Sequence, residues 1–470
     1  MRNNTKDKYY IIEGLEIIDA GSEGKAVGKH DGLAVFVPYA VPGDVIDVKV
    51  LKKRRNYAEG VIVRIVKPSP HRITPICEHF GLCGGCKWQV MEYEQQLYYK
   101  QKQVEDNFNH LGKFEFPPVM PTIASQEQTC YRNKMEYTFT DKRWLDDEDM
   151  KAQQFGELET RGIGFHIPGK FDKVLDIHQC HLQSDNTNAI RNGLKQFCIQ
   201  TGLSFYNPRE HTGFMRNLMI RNSTPGDLMV VVVFGEKSDA IENVMRYLET
   251  TFPEITSLQY VINEKLNDNF LDQKMHLFKG VPFIMEQMED LQFKIRAVSF
   301  YQTNSKQAYN LYLTVKDFAQ IGSEDVVYDL YTGTGTIANF IARSAKKVIG
   351  IEYVEMAIKD AKENAAFNKI DNTSFFAGDM VNVLTPSFVK KVGTPNIIIT
   401  DPPRAGMHPR VIEQLIEIAP EKIVYVSCNP ATQARDITLL SEYYKVTRIQ
   451  PVDMFPHTQH VENVALLERY

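Results

Sequence analysis

A cysteine at the end of a buried strand is the residue of this chain with the most evident chemical potential. Cys428 follows the apolar run 422–426 and lies in Ser427-Cys428-Asn429-Pro430, where a helix is expected to begin. Open α/β sheets bind ligands at the carboxyl ends of their strands. A helix start lowers a thiol's pKa and favours the thiolate. The pattern predicts a nucleophile for covalent group transfer, with an ordinary buried cysteine as the alternative.

A carboxylate near the end of the chain could serve the same chemistry. Glu462 lies in His460-Val461-Glu462-Asn463, next to an apolar segment. A general base must lie close to the proton that it removes. On the residues alone a salt bridge explains Glu462 equally simply, so its role as a base stays open at this point.

A glycine loop indicates a nucleotide-type cofactor. The run Tyr331-Thr-Gly333-Thr-Gly335-Thr follows a predicted strand and begins a predicted helix, and Glu352 ends the next strand. Glycines let a ligand approach the backbone closely, and a strand-end carboxylate suits the two hydroxyls of a ribose. With Ala338 the loop also reads G-x-G-x-x-A, so a dinucleotide dehydrogenase is an alternative on this motif alone.

A second strand-end motif favours an adenosylmethionine enzyme. Asp401-Pro402-Pro403-Arg404 puts a carboxylate and two rigid prolines at the end of a further strand. A fixed polar rim beside the cofactor is an arrangement that adenosylmethionine enzymes use, and dehydrogenases have no evident need for it. A simple helix-start turn is the alternative, because proline is common at the first helical positions.

Four cysteines are candidate metal ligands. The spacing Cys-x5-Cys-x2-Cys joins Cys77, Cys83 and Cys86, with glycines that permit unusual backbone angles. Cys180 is the best candidate for a fourth ligand. Four thiolates fit an iron–sulfur cluster or structural zinc, and nearby histidines could complete a zinc site instead. Three reduced structural cysteines are the remaining alternative.

Composition gives a broad class and excludes others. The chain has 470 residues, a net charge of −5 and seven cysteines at uneven spacing. This length allows two or three domains, and an odd cysteine count without a visible secretory signal argues against a disulfide framework. The polar start of the chain has no signal-peptide core, and no apolar run is long enough to span a membrane. A cytoplasmic protein is therefore expected.

The pattern of predicted elements divides the chain into three regions. Residues 1–68 read as short strands with glycine turns, which predicts a small five-stranded β-barrel of the oligonucleotide-binding kind, with an SH3-like barrel as alternative. Residues 69–295 are mixed α+β, of unassigned topology. Residues 296–470 alternate strand and helix and then end in an antiparallel strand pair, which predicts a doubly wound, Rossmann-like α/β domain.

Two charged features stand outside these motifs. Basic residues cluster at 49–55 and again at Arg132, Lys134, Lys142 and Arg143, and solvated loops are the simpler explanation for each cluster. The acidic stretch 144–149, around Asp146, predicts an exposed loop without an assignable role. Local basic clusters can still bind nucleic acid on an acidic chain.

Taken together, these motifs resemble the RNA 5-methyluridine (uracil-C5) methyltransferases, which use S-adenosylmethionine. The resemblance covers nearly the whole chain, and the N-terminal barrel resembles a TRAM domain, an RNA-binding module. It implies a [4Fe–4S] cluster on Cys77, Cys83, Cys86 and Cys180. The segment Phe300-Tyr301-Gln302-Thr303-Asn304 matches the family's glutamine motif. The cofactor positions that the resemblance implies are Gln302, Tyr331, Glu352 and Asp401.

The resemblance also implies a mechanism and a substrate. Cys428 matches the nucleophile that adds to uracil C6, and Glu462 matches the base that removes the C5 proton. Members with both barrel and cluster resemble the ribosomal enzymes, so 23S rRNA is the expected RNA partner, with tRNA as alternative. A non-catalytic RNA-binding protein with a methyltransferase fold is a further alternative. No membrane partner is expected, and the protein is expected to be a monomer.

Overall fold

The computed structural model describes residues 10–153, 158–270 and 272–470. In this part of the chain, no helix is both long enough and apolar enough to cross a membrane.

The first structural unit is a closed barrel, as the sequence predicted. Within the described residues, its five strands close in the order β1-β2-β3-β5-β4. Their inward side chains, such as Val35, Val48 and Ala58, are fully buried, because side chains of a strand alternate between the two faces. The strands are β1 (Ile11–Ala20), β2 (Lys25–His30), β3 (Leu33–Pro38), β4 (Val45–Lys53) and β5 (Tyr57–Lys67).

A mixed sheet follows, whose topology could not be predicted from the sequence. In the part of the chain that the structure describes, its seven strands lie in the order β12-β11-β10-β9-β6-β7-β8. The strands are β6 (Lys134–Thr140), β7 (Gly162–His166), β8 (Val174–Asp176), β9 (Met215–Asn222), β10 (Leu228–Phe234), β11 (Ser257–Ile262) and β12 (His276–Gly280). The helices of this region are α1 (Tyr93–Leu111), α2 (Asp147–Gln153), α3 (Asp185–Gln200) and α4 (Ala240–Thr251).

The acidic stretch 144–149 is not simply the exposed loop that was expected, because helix α2 begins inside it. Asp146 Oδ1 accepts the backbone N–H groups of Glu148 (2.9 Å) and Asp149 (2.8 Å), which satisfies donors at a helix start. Asp149 in turn pairs with Arg143 at 2.7 Å. The acidic residues therefore serve a local helix and ion pair.

The C-terminal region is the predicted doubly wound sheet. Among the described residues its seven strands lie in the order β17-β16-β15-β18-β19-β21-β20, with β21 antiparallel to both neighbours. The strands are β15 (Val326–Leu330), β16 (Lys347–Glu352), β17 (Thr373–Ala377), β18 (Ile397–Thr400), β19 (Lys422–Ser427), β20 (Tyr444–Val452) and β21 (Glu462–Arg469). A hairpin, β13 (Ile284–Met288) and β14 (Leu291–Ile295), precedes them.

Helices cover both faces of this sheet, which buries its aliphatic strands on two sides. Apolar side chains of α5, α6 and α7 pack on one face, and those of α8 to α11 pack on the other. The helices are α5 (Ser305–Ala319), α6 (Thr336–Ala342), α7 (Glu355–Phe367), α8 (Met380–Val383), α9 (Pro386–Val392), α10 (Pro409–Ile418) and α11 (Pro430–Leu440).

Helix α1 connects the N-terminal half of the chain to this sheet. Its residues Val104 and Phe108 are fully buried in the same core as α10 and α11. On the same helix, Lys100 lies in a buried ion pair with Asp453, at 2.5 Å from Nζ to Oδ1. Asp453 begins the loop 453–461 between β20 and β21, so α1 contacts the segment that leads to Glu462.

Candidate active site and cysteine cluster

The predicted site residues of the last domain lie along one edge of the sheet. Glu352, Tyr331, Asp401 and Cys428 stand at the carboxyl ends of β16, β15, β18 and β19, which are successive neighbours. Antiparallel pairing of Ser427 with Asn463 brings Glu462, the first residue of β21, beside Cys428. Neighbouring strands lie about 4.8 Å apart, so Glu352 and Cys428 are separated by roughly 14 Å across three strand steps.

The glycine loop is shaped for close approach of a ligand at one glycine and for close packing at the other. Gly333 has φ +56° and open space where a side chain would begin, whereas a Cβ on Gly335 (φ +76°) would lie 2.9 Å from the Ala361 Cβ. Glu352 Oε2 accepts the Gly333 N–H at 3.2 Å. The carboxylate predicted to bind a ribose therefore already lies against the loop.

Tyr331 and Asp329 hold the start of this loop. Tyr331 adopts a left-handed backbone with φ 63°, which is uncommon for a bulky residue. Burial, together with Asp436, Asp379 and Glu352, raises the pKa of Tyr331 to about 12, so its hydroxyl stays protonated. The buried Asp329 accepts the Thr332 hydroxyl and the Ala338 N–H (3.1 Å), which ties both ends of the loop together.

Gln302 lies at the start of α5, on the side of the site nearer the central sheet. Its side chain is buried, and its backbone carbonyl accepts the amide of Asn133 at 2.8 Å. The backbone N–H of Asn133 donates to the carbonyl of Thr303, also at 2.8 Å. The glutamine motif is thereby fixed to the residue before β6.

The thiol of Cys428 and two carboxyl groups share one desolvated pocket. Burial raises the pKa of Glu462 well above its usual value, and the nearby Asp401 raises it further. Burial likewise raises the pKa of Asp401, with Asp329 adding to the effect. Two carboxyl groups in one low-dielectric site resist simultaneous ionisation. The pocket therefore tends to hold a proton that a reaction can use.

The expected direction of the Cys428 pKa shift is wrong. Helix α11 does begin at Pro430, with Asn429 capping it, as predicted. Burial nevertheless raises the pKa of the Cys428 thiol to about 11, and Glu462 and Asp401 add to the rise. The carboxyl groups and the loss of water outweigh the helix start, whose effect is modest.

Arg404 is a site residue to which the sequence pointed without indicating a role. Its guanidinium lies near the Cys428 sulfur, and this contact and its charge oppose the rise in the thiol's pKa. Its carbonyl accepts from Asn429 (3.1 Å) and Thr432 (3.2 Å), which fixes it to the start of α11. The only signal was its position three residues after Asp401.

The four predicted metal ligands come together, and all are free thiols. Cys77, Cys83, Cys86 and Cys180 line one cavity, Cys180 coming from the loop after β8. Burial raises the pKa values of these thiols, with Cys83 at about 11 and Cys86 at about 12, and thiols of the group add to each other's shifts. Four thiols that line one cavity have no evident use in a protein core except as a ligand set.

Hydrogen-bond donors to the sulfurs support this interpretation. Backbone N–H groups of His79 and Phe80 lower the pKa of Cys77, that of Gly85 lowers the pKa of Cys83, and those of Leu182 and Gln183 lower the pKa of Cys180. The side chain of Gln89 does the same for Cys86. Donors of this kind favour the thiolate that a metal binds and tune metal–thiolate centres. The residues therefore fit a tetrathiolate metal group.

The nearby histidines form a separate group. One ligand atom each of Glu78, His79 and His178 lie within 4.8 Å of one another. His79 Nε2 accepts the backbone N–H of His178 at 3.0 Å, so this nitrogen already has a partner. The four thiols supply a full set of four ligands without a histidine.

Comparison with known proteins agrees with this architecture. The family model described as "tRNA (Uracil-5-)-methyltransferase" matches residues 274–470, and the model described as "TRAM domain" matches residues 11–63. A protein of Bacteroides thetaiotaomicron, described as an uncharacterized RNA methyltransferase, is 51% identical over 451 residues, which cover 95% of this chain and 99% of its own. The chain belongs to the S-adenosylmethionine-dependent RNA (uracil-5-)-methyltransferase family.

Further relatives of this RNA methyltransferase include a Porphyromonas gingivalis protein with the same description, 51% identical over 97% of this chain and 99% of its own. The crystal structure of Pyrococcus abyssi tRNA (uracil-54, C5)-methyltransferase with S-adenosyl-L-homocysteine superposes with a TM-score of 0.75. It is 29% identical, and the match covers 97% of this chain and 100% of that one. The predicted fold class, with its barrel and Rossmann-like domain, is thereby confirmed.

Proposed function

We propose that this RNA methyltransferase methylates uracil C5 through a covalent bond between Cys428 and uracil C6, with Glu462 as general base. The observation that carries the proposal is the juxtaposition of Cys428, Glu462 and Asp401 at three adjacent strand ends. Covalent catalysis of this kind needs a nucleophile and a base in one pocket. The glycine loop lies two strand positions away from the thiol, on the cofactor side.

The chemistry starts from the low reactivity of uracil C5. The Cys428 thiol first loses its proton to solvent. Its thiolate then adds to C6, and the π electrons of the C5–C6 bond move into the C4 carbonyl, giving an enolate with an electron-rich C5. Bound S-adenosylmethionine would supply the electrophilic methyl group that C5 accepts, with S-adenosylhomocysteine as the leaving group. Glu462 then takes the proton from C5, the C5–C6 double bond re-forms, and the C6–S bond breaks to release the thiolate.

The electrostatics of the pocket suit this sequence. A base works best when its pKa lies near the working pH, and burial moves the pKa of Glu462 upwards, in that direction. The Arg404 guanidinium opposes both the Glu462 shift and the Cys428 shift, so it favours the ionised forms of both groups. The target base must leave its stack to reach such a pocket.

The cofactor would be held by Gln302, Tyr331, Glu352 and Asp401. Two observations support this. Tyr331, Glu352 and Asp401 lie at the ends of neighbouring strands, and a ligand has open space at Gly333. Glu352 also accepts the Val354 N–H (3.0 Å) through its other oxygen, so its carboxylate is held in place for the ribose hydroxyls.

We also propose that Cys77, Cys83, Cys86 and Cys180 hold a [4Fe–4S] cluster. The four convergent thiols support a metal, and the resemblance to cluster-containing relatives favours iron and sulfide over zinc. Anaerobically purified protein should absorb broadly in the visible range and contain iron. Colourless protein with stoichiometric zinc would instead assign the site to zinc.

For the RNA we propose 23S rRNA, with residues 1–68 as an RNA-binding barrel, residues 69–295 carrying the cluster and residues 296–470 the chemistry. The Pyrococcus abyssi relative, which its description names as a tRNA enzyme, matches nearly the full chain, so tRNA is the second candidate. Labelled cofactor should transfer its methyl group to unmodified 23S rRNA and not to bulk tRNA. The reverse result would assign the protein to tRNA.

Two variants test the covalent route. Cys428→Ala should abolish methyl transfer and leave cofactor binding intact, and Cys130→Ala, at an exposed cysteine, is the matched control with normal activity. Glu462→Gln should accumulate an RNA–protein adduct that survives denaturing gels, because the C5 proton cannot leave. Near-normal turnover in Cys428→Ala would disprove the covalent route, and would leave open only a non-covalent reaction. A wild-type chain without any transfer would support a non-catalytic RNA-binding protein.

A further inference from the structure

The cavity that contains the four thiols is larger than a metal centre requires. Its volume is about 910 Å³, which lies within the range of about 300–1,000 Å³ typical of ligand pockets. Besides the cysteines, its walls include the aromatic residues Phe80, Phe165 and Phe171, and also Thr303 and Thr458. Thr303 follows Gln302, and Thr458 lies in the loop before Glu462. Thr303 and Thr458 therefore place this cavity next to the segments that carry Gln302 and Glu462.

The order of groups along this cleft follows from backbone hydrogen bonds. The Arg132 N–H donates to the Leu182 carbonyl at 2.9 Å, two residues beyond Cys180. The next residue, Asn133, contacts Gln302 and Thr303 through the bonds described above. Arg132 therefore lies between the thiols and the glutamine motif. Its charge lowers the pKa values of both Cys180 and the active-site neighbour His460, as expected from this intermediate position.

The cleft is strongly cationic although the chain has a net charge of −5. Its lining includes Lys87, Arg132, Lys134 and Lys170, and Glu136 is the single carboxylate among the lining residues that the structure describes. Glu136 pairs with Lys134 at 2.8 Å. Within the described residues, Lys87, Arg132 and Lys170 form no ion pair with a carboxylate. Lys87 lies over the Tyr39 ring at 5.9 Å, and Lys170 lies over the Trp144 ring at 5.5 Å. In the part of the chain that the structure describes, the three positive charges therefore have no anionic partner.

Arg132 is the cation whose surroundings most clearly require a ligand. Its side chain is half-buried, and its buried Nε has no hydrogen-bond partner among the described residues. His166 Nδ1, on the same cleft, is also buried and unpartnered in that part of the chain. Buried polar groups without partners are uncommon in folded proteins and call for an explanation.

We propose that this cleft binds a nucleotide of the RNA that flanks the methylated uridine, with Arg132 as the contact to its phosphate. The inference rests on the proposed function, because it takes the substrate to be RNA. Single-stranded RNA is bound by cations along its backbone and by aromatic or guanidinium planes beside its bases. The cleft offers both kinds of group between the cysteine loop and the segment before α5 that holds Gln302.

The other half of this basic cluster shows why Arg132 differs. Lys142 lies near Asp141 (3.9 Å) and Glu210 (3.8 Å), Arg143 pairs with Asp149, and neither lines the cleft. Their charges are already compensated. Lys142 therefore provides a matched control, since its replacement removes one positive charge from the same region of the surface.

A binding experiment distinguishes the proposed role of Arg132 from that of the control residue Lys142. The probe is an oligouridylate of about 12 nucleotides, within the site size of single-strand binders, titrated in a Cys428→Ala background so that no adduct forms. Arg132→Met should weaken binding about tenfold at low salt, as expected for loss of a charged hydrogen bond. It should also reduce the slope of log Kd against log salt by about 0.7. Arg132→Lys should restore the slope, and Lys142→Met should change neither quantity.

Unchanged affinity and slope in Arg132→Met would overturn the inference. Iron content and visible absorption are measured on the same samples, because Arg132 could instead stabilise the thiolates. A variant that loses iron while it keeps full RNA affinity would also overturn the inference. If Arg132→Met loses both iron and RNA affinity, Lys170→Met is tested in its place. Unaltered RNA binding by Lys170→Met would count against the proposed cleft.

A cross-linking experiment locates the RNA directly. An oligouridylate that contains 4-thiouridine should, on irradiation, cross-link to peptides carrying Phe165 to Phe171, whereas cross-links confined to the barrel would contradict the proposal. The binding readout does not require methyl transfer. Normal methylation without cleft binding would therefore reject this inference alone, and cleft binding without methylation would reject the proposed function alone.

Discussion

At the scale of single residues, burial and two nearby carboxyl groups keep the Cys428 thiol protonated at neutral pH. Its pKa of about 11 means that the thiolate fraction at neutral pH is small and rises about tenfold per pH unit until that pKa is reached. Substrate binding must therefore shift this balance. Glu462 raises the pKa of the thiol and Arg404 lowers it, so replacement of either residue should change the thiolate fraction measurably.

Alkylation of Cys428 by iodoacetamide should report these effects. The rate should rise with pH between 7 and 10, because only the thiolate reacts. Glu462→Gln removes a negative charge that raises the thiol's pKa, so alkylation at pH 8 should be faster than in wild type. Arg404→Met removes a group that lowers the thiol's pKa, so alkylation should be slower. Mass spectrometry of the Cys428 peptide measures both rates.

Arg410→Met is the control for this series, since Arg410 is exposed and pairs with Glu413 on α10. Its alkylation rate should match wild type. Equal rates in all four proteins would show that neither charged neighbour acts on the thiol.

Glu352 offers a test of the cofactor side. Glu352→Ala should weaken binding of S-adenosylhomocysteine by about tenfold or more, because the charged hydrogen bonds to the ribose are lost. Glu355→Ala, three residues on and exposed in the first turn of α7, should bind normally. Calorimetric titration gives both constants, and equal affinities for the two variants would remove Glu352 from the cofactor site.

At the scale of elements, the C-terminal strands could be predicted because buried parallel strands form continuous aliphatic runs. Val326–Leu330 and Lys422–Val426 were found in this way, and the final antiparallel pair was found from the missing helix. The motifs at their ends lie together because the sheet order places β16, β15, β18 and β19 side by side. The strands predicted from the sequence pattern therefore agree with the observed sheet in residues 296–470.

The topology of the central sheet could not be predicted, for an equally physical reason. Strand β9 is almost wholly buried but contains Arg216, Asn217 and Arg221, so its sequence has no strand-like pattern. Arg216 donates to the carbonyls of Asn263, Lys265 and Asn267, at 2.6–2.7 Å. Such long-range pairing leaves no local signal. The contact of Arg404 with Cys428 was missed for the same reason, and the domain boundaries at 68 and 295 stay predictions.

The contact between α1 and the loop 453–461 gives a prediction on stability. Lys100→Met leaves the buried Asp453 without its cation and should cost about 3–5 kcal/mol of unfolding free energy. Lys102→Met, on the same helix, breaks partly exposed pairs with Asp19 and Asp106 and should cost about 1 kcal/mol or less. Urea unfolding measures both free energies. Equal losses in the two variants would show that the buried ion pair of Lys100 stabilises the fold no more than the partly exposed pairs of Lys102.

At the scale of the whole molecule, backbone hydrogen bonds join the residues directly after the cysteine segment 77–86 to the loop 453–461. The backbone N–H groups of Lys87 and Trp88, which directly follow Cys86, both donate to the His457 carbonyl at 2.9 Å. His457 has a left-handed backbone (φ 67°), and its loop ends at Glu462. The chain directly after the cysteine segment is therefore hydrogen-bonded to the loop that precedes the residue that we propose as base.

Removal of the metal that we propose at the four cysteines tests this connection. Chelation or oxidation should release segment 77–86 and weaken the two bonds to His457, so amide hydrogen exchange should accelerate at Lys87, Trp88 and in loop 453–461. Strand β15, at the centre of the last sheet, should keep its protection and serves as the internal control. Unchanged exchange in the loop after complete metal loss would show that the two sites are independent.

The buried face of α1 has a consequence for how the chain is made. Lys100 and its partner Asp453 are separated by 353 residues. At about 5–20 residues per second, a ribosome needs about 20–70 s to synthesise that interval. During this time the nascent helix exposes Val104 and Phe108 without the surface that covers them in the finished protein. Chains interrupted before the last strands should therefore be ready clients for chaperones and proteases.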